Sequence, residues 1–330
     1  RDFCLSRGLG DVYKRQLITY AADSHTLYGA LSFTPAADHP KGSKIEIRDC
    51  DTNKPLGKIP QVEHTYKVVG FMNEHQLSIT ESTFGGRPEL VDTTGIIDYG
   101  SLMQLALQRA RTAREAITVM TDLVKKYGYY SSGESFSIAD PEEVWILEMI
   151  GKGSASKGAV WVAVRIPDDC IAAHANHSRI HRFPLDDPEN CLYSPDVISF
   201  AREQKYFAGL NRDFSFSAAY APAGFEELRA CEARVWSFYN RYDSTMVSYL
   251  PYIYGESSTP LPLYIKPDRK LSVQDMKDAM RDHFEGTPFD MTQDAGAGPF
   301  KAPYRFRPMT FEVDSQEYIN ERAICLLYTS

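Results

Sequence analysis

Apolar and polar positions along this chain switch several times between period two and helical spacing. Residues 44–48 read Lys-Ile-Glu-Ile-Arg, a strict alternation that predicts a half-exposed strand. Residues 66–72 and 76–80 are apolar-rich runs on either side of a polar turn, which predicts a hairpin. From 98 to 127, Leu102, Leu105 and Ala106, then Ile117, Met120, Leu123 and Val124, recur at helical spacing. Thr112 with Glu115 has the form of a capping box, so the stretch splits into two helices near Thr112, and Gly128 stops the second. A run of strands is expected at 134–139, 143–149, 158–165 and 170–174, and another opens the chain's readable part at 17–23. Three further helices are expected: one capped by Ser194 with Pro195 behind it and running to 202, one at 225–239, and one capped by Ser272 over 273–284 with Asp275 at its third position. Strands, two helices, more strands and then helices predict a layered α+β domain.

Composition narrows the function classes. A net charge of -8 argues against a nucleic-acid partner, since phosphate contacts need clustered Lys and Arg. No apolar run approaches the ~18 residues of a membrane span. The 20 Tyr and 17 Phe point first to an aromatic core and second to a pocket for small organic substrates. The six cysteines, Cys4, Cys50, Cys170, Cys191, Cys231 and Cys325, show no CxxC pair, no zinc spacing and no disulfide framework. The compartment is not legible from them.

The ends read differently from the rest. Residues 1–16 (RDFCLSRGLGDVYKRQ) match neither helix nor strand periodicity, and 325–330 (CLLYTS) break off a sensible sequence. Both resemble translated sequencing-adapter read-through, so the domain is expected over 17–324 with a non-native segment at either end.

Candidate chemistry gathers at strand ends. Asp23 follows the first credible strand, where a turn carboxylate accepts backbone N–H bonds or serves a site. Asn73 sits in the hairpin turn, suited either to tight-turn backbone or to donating to an oxyanion. Glu81, Thr83, Gly85 and Gly86 end the second hairpin strand. They form either a glycine-rich turn or a pocket with a carboxylate for an ammonium group; the Lys-Ser/Thr of a phosphate loop is missing. His174, His177 and His181 have the spacing of metal ligands on a helix, but the residues before them read as strand and Pro184 follows closely. Asn176 lies among them, and Arg234 sits on a helix where it pairs with a surface carboxylate or steadies a bound one.

Several stretches together resemble one family. They are Met72-Asn73-Glu74, Glu81-Ser82-Thr83, Gly85-Gly86-Arg87-Pro88, Tyr130-Ser131-Ser132-Gly133-Glu134-Ser135-Phe136, Ala233-Arg234-Val235-Trp236 and residues 290–307 (DMTQDAGAGPFKAPYRFR). They are similar to the PepD-like dipeptidases, cysteine-type members of the N-terminal nucleophile (Ntn) hydrolases. The resemblance implies a four-layer αββα sandwich and hydrolysis of dipeptides through an acyl-enzyme on an N-terminal Cys, with no cofactor or metal. It implies that Asp23 contacts the nucleophile's α-amine, that Asn73 and Asn176 hold the oxyanion, and that Arg234 lies near the site. Glu81, Thr83, Gly85 and Tyr20 fall to substrate binding; Tyr20 stands where many relatives carry Arg. Nothing around Cys4 resembles the family's Cys-Thr start, so Cys4 is read as coincidental and the chain as inactive in itself. Rival readings are an N-acyl amide hydrolase of the penicillin and bile-salt acylase kind, and an inert peptide-binding protein of the same fold. A homo-oligomer is compatible with all three.

Overall fold

The computed structural model describes residues 3–8, 15–21, 31–225, 227–293, 299–301, 309–313 and 316–320. The chain opens with β1 (Phe3–Gly8) and β2 (Arg15–Tyr20), followed by the short strands β3 (Phe33–Thr34) and β4 (Ala37–Asp38). The hairpin β5 (Lys44–Arg48) and β6 (Pro55–Pro60) comes next, then β7 (His64–Thr65), β8 (Val68–Val69), β9 (Met72–Asn73) and the long β10 (Ser78–Gly85). Helices α1 (Tyr99–Arg109) and α2 (Ala113–Tyr127) lead to β11 (Gly133–Ala139), β12 (Val144–Gly151), β13 (Ala159–Arg165), β14 (Ile171–His174) and β15 (Cys191–Tyr193). The remainder holds α3 (Val197–Glu203), α4 (Phe216–Tyr220), α5 (Ala233–Asn240), α6 (Leu250–Ile253), β16 (Tyr264–Ile265), α7 (Val273–Ala279) and the pair β17 (Met309–Val313) and β18 (Gln316–Asn320).

Two sheets hold most of the strands, while β4-β7, β5-β6 and β17-β18 are separate two-stranded pairs. The larger is an eight-stranded antiparallel sheet in the order β15-β13-β12-β11-β10-β9-β8-β3; the smaller has the order β16-β14-β1-β2. The protein is therefore α+β, as its pattern predicts. Strand alternation divides the large sheet's side chains cleanly. Trp145, Leu147 and Met149 of β12 join Phe136 and Ile138 of β11 in a core with Leu102, Leu105, Ile117 and Met120 of α1 and α2. The neighbouring positions Val144, Ile146 and Ile150 face the other way, into a core shared with Ala172 of β14 and with α3 and α4. Ile171, Ala173 and Ile265 of the small sheet pack in a third core with Trp236 and Tyr239 of α5, Ile253 of α6 and Met276 of α7.

Local chemistry accounts for the boundaries. Asp98 caps α1 by accepting from Gly100 N and Ser101 N, and Thr112 caps α2 by accepting from Glu115 N. The Glu115 carboxylate accepts from Arg111 N, one residue before the position a capping box uses. Ser272 and Asp275 form the reciprocal box at α7.

Four expectations shift. The first hairpin arm is broken at Gly70 and Phe71, so that β8 turns into β9 before β10 begins. The Ser194 hydroxyl accepts from Trp161 N instead of capping a helix, and α3 starts after Asp196. The last helix ends at Ala279. Finally, part of the segment judged aperiodic forms β1, paired with β2 on one side and β14 on the other. Backbone hydrogen bonds need no side-chain pattern, so a slot between two strand edges can take a sequence without alternation.

Candidate active site

β10 carries hydroxyls at period two: Ser78, Thr80 and Ser82 share one face, and Ser135 and Ser137 of β11 lie cross-strand on the same face. This row lies between the two sheets. Ser82 Oγ accepts from Asn176 N at 2.8 Å, and Asn176 Nδ2 donates to Thr83 O at 2.7 Å. Arg234 Nη2 donates to Asn176 Oδ1 at 3.1 Å and to Ala175 O at 3.3 Å, while its Nε donates to Ala230 O at 2.8 Å. Thr83 Oγ1 donates to Glu134 Oε2 at 3.0 Å. Two residues back along β10, Tyr20 OH donates to the buried Glu81 carboxylate at 2.6 Å. Gly85 ends the strand at φ +71°, past a register shift between Thr83 and Gly85, a backbone that side-chain-bearing residues rarely adopt. Gly133 across from it has no room for a Cβ, which would lie 2.0 Å from the Phe84 ring.

The loop that presents Asn176 is fixed from behind. Asn176 itself has φ +50°, which Asn tolerates better than most residues. The buried Glu148 of β12 accepts from Arg179 N at 2.6 Å, Ser178 Oγ at 2.5 Å and Ile180 N at 3.2 Å, and from Ser135 Oγ at 3.3 Å. Burial pushes the Glu148 carboxyl above its ordinary range, with those donors pulling the other way. Arg179 Nε donates to Glu232 at 2.9 Å with both side chains 1% exposed, and its other nitrogens reach Ala173 O and Pro262 O. Burial works against the Arg179 charge, but Glu232 and Tyr239 outweigh it and hold the guanidinium above its usual range.

The histidines do not converge. His174 Nε2 lies 2.7 Å from Ser137 Oγ and His181 Nδ1 lies 3.3 Å from Ser215 Oγ. Burial pulls His174 down to about 3 and His181 to about 4, and lowers His177 as well. Among the described residues no group of three His, Cys, Asp or Glu could hold a metal ion.

Asn176, Arg234, Thr83, Gly85, Glu81 and Tyr20 are thus gathered around one end of β10. Asn73 is not. Its Nδ2 donates to Leu107 O at 2.8 Å and Ala110 O at 2.7 Å, and its Oδ1 accepts from His75 N and Leu77 N. Both amide protons close the C-terminal end of α1, so none is left for an oxyanion, and the residue sits at the opposite end of β10. The expectation that Asn73 and Asn176 share a cleft is corrected accordingly. Asp23 lies outside the described residues. Ser82 and Glu134 stand in the sequence only inside family-like stretches, without a role, and Glu148 has no signal there at all. The alternation of hydroxyls in 78–82 and 135–137 was the available signal for Ser82.

These features define an α+β protein with an amide and a guanidinium bonded together at the end of a strand between two sheets, and a buried carboxylate on that strand's other face. The chain belongs to peptidase family C69, whose sequence profile matches residues 12–321. It is 29% identical over 221 residues to a probable dipeptidase of Salmonella dublin, covering 65% of this chain and 48% of that protein. It is 29% identical over 217 residues to a probable dipeptidase of Latilactobacillus sakei, covering 65% and 43%. It is 27% identical over 227 residues to dipeptidase A of Lactobacillus helveticus, covering 67% and 44%. The chain spans less than half the length of these curated relatives. No helix among the described residues is long and apolar enough to cross a membrane.

Proposed function

We propose that this chain carries the catalytic domain of a cysteine-type dipeptidase with the four-layer αββα sandwich of Ntn hydrolases. The packing supports the sandwich: α1 and α2 cover one face of the large sheet, the small sheet lies against the other, and α5, α6 and α7 cover the small sheet's far side. One observation carries the functional reading above the others. Asn176 and Arg234 are bonded to each other and to the end of β10, with a buried carboxylate two residues away on the same strand.

In this reading the thiolate of an N-terminal Cys adds to the dipeptide carbonyl carbon. Its own α-amine takes the thiol proton and returns it to the leaving amine. An α-amine suits the task because it titrates near ~7.7–8.0. Asn176 donates to the oxygen that gains charge. Arg234 holds the Asn176 carboxamide in place through its Oδ1, and Asp23 receives the α-ammonium. Glu81 takes the substrate's ammonium group, with Tyr20 OH orienting that carboxylate. Thr83 and Gly85 shape the loop beside it. Water then cleaves the thioester, and the chemistry calls on no cofactor. Asn73 has a scaffold role.

The test is turnover of a dipeptide panel by a version of the chain that begins with a family-like Cys. The expected result is hydrolysis that Asn176→Ala lowers by ~100-fold or more, the scale of one oxyanion donor. An unchanged rate in the variant would remove Asn176 from the mechanism.

A further inference from the structure

The face of the large sheet that lines this site continues past it as an apolar ledge. Phe33, Val69 and Met72 are cross-strand partners on β3, β8 and β9, and Met72 pairs in turn with Ser78 of β10. Opposed residues share a face, so this row lies on the side that carries Ser82 and Asn176. The three side chains are 61%, 41% and 46% exposed, and Phe71 in the turn beside them is 44% exposed. Four large apolar groups side by side in water are unusual away from a binding surface.

The ledge is joined to the site by one contact. The Phe71 ring meets Tyr20 edge-on at 5.3 Å, and the same Tyr20 holds Glu81 through its hydroxyl. From the run of contacts Phe71–Tyr20–Glu81 at the edge of β10 we infer that Phe71, backed by Tyr20, is the subsite for the side chain of a dipeptide's first residue, and that it selects large apolar side chains. The inference rests on the dipeptidase reading. In an amino acid the ammonium and the side chain branch from the same carbon. An ammonium on Glu81 therefore brings the side chain of that residue, and not of the second, onto the neighbouring aromatic pair. A polar anchor next to an apolar wall is the ordinary construction of a small-molecule site. An apolar side chain leaving water there is worth ~10-fold or more over glycine.

The experiment is calorimetric titration of the chain as it exists with Phe-Ala, Leu-Ala, Gly-Ala and Ser-Ala, with N-phenylacetyl-alanine as a ligand lacking the ammonium. Phe-Ala and Leu-Ala are expected to bind ~10-fold or more tightly than Gly-Ala and Ser-Ala. Phe71→Ala should shrink the Phe-Ala to Gly-Ala ratio to within ~3-fold, and Phe71→Leu should retain most of it. Equal affinities across the four dipeptides overturn the inference while leaving the dipeptidase reading intact. So does a Phe71→Ala variant that keeps the ratio but dissociates in sedimentation, which would make the ledge a contact between copies. If no dipeptide binds, or the acylated amino acid binds as well as Phe-Ala, the dipeptidase reading itself falls and the subsite assignment with it.

Discussion

At the Ser78 end of β10, Asn73 turns the chain and its carboxamide is saturated by two helix carbonyls and two backbone N–H groups. At the Gly85 end, Asn176 also sits in a tight polar loop, but its carboxamide bridges Thr83 O and the Arg234 guanidinium beside the row of hydroxyls between the sheets. About 24 Å of strand separates the two ends, at ~3.4 Å per residue. The residue type and the local context are alike. What differs is the partner: a helix end on one side, an arginine and a strand end facing a second sheet on the other. The first arrangement stabilises a connection, and the second positions a donor.

The contrast can be broken most forcefully from behind the Asn176 loop. Arg179→Ala leaves Glu232 buried without its partner, which is expected to cost ~3–5 kcal/mol in urea unfolding. A loss under ~1 kcal/mol would mean that the loop is not clamped by this pair. Next comes Asn176→Ala in a Cys-initiated chain, where turnover per folded molecule should fall by ~100-fold, beside a stability loss of ~1–3 kcal/mol from the lost Thr83 and Arg234 bonds and the left-handed backbone. Asn73→Ala should lose stability alone. It strands two buried carbonyls and two N–H groups, for a stability loss of ~1–3 kcal/mol, with turnover per folded molecule within ~3-fold. If Asn73→Ala also abolished turnover at full folding, the division of labour between the two ends would be wrong.

Acid should act through the histidines near the Asn176 loop. His174 and His181 have folded-state values pulled to about 3 and about 4 by burial, against an unfolded value near ~6.5. Below ~6.5 the unfolded chain binds protons that the folded one refuses, so stability is complete above that pH and is lost as pH falls toward the folded values. Stability at pH 5 should be lower than at pH 6 by about 1 kcal/mol for each of the two histidines, about 2 for the pair, and His181→Gln should roughly halve the slope. A slope unaltered in that variant would show His181 to titrate alike in both states.

How far the sequence carried depended on range. Lys44–Arg48 was readable to the residue because alternation is local, and the division between α1 and α2 was readable at Thr112 because a cap is local. The Asn73 role turned on carbonyls of Leu107 and Ala110, more than thirty residues downstream, and no spacing rule links them. Glu148 is similar: its ligands lie in a loop thirty residues on, and the carboxylate stands in a strand that otherwise reads as buried apolar. Asn176 and Arg234 were found through resemblance, and their mutual bond is a tertiary fact. The Phe71 turn was hidden inside what reads as a continuous strand, because nothing in the alternation marks the break at Gly70.

The most direct test is a crystal structure of the chain with a bound dipeptide. The ligand should lie at the Gly85 end of β10, its carbonyl oxygen within hydrogen-bond distance of Asn176 Nδ2 and its ammonium against Glu81. A dipeptide seated away from Asn176 and Arg234, or density at the Asn73 turn instead, would contradict this assignment of the site.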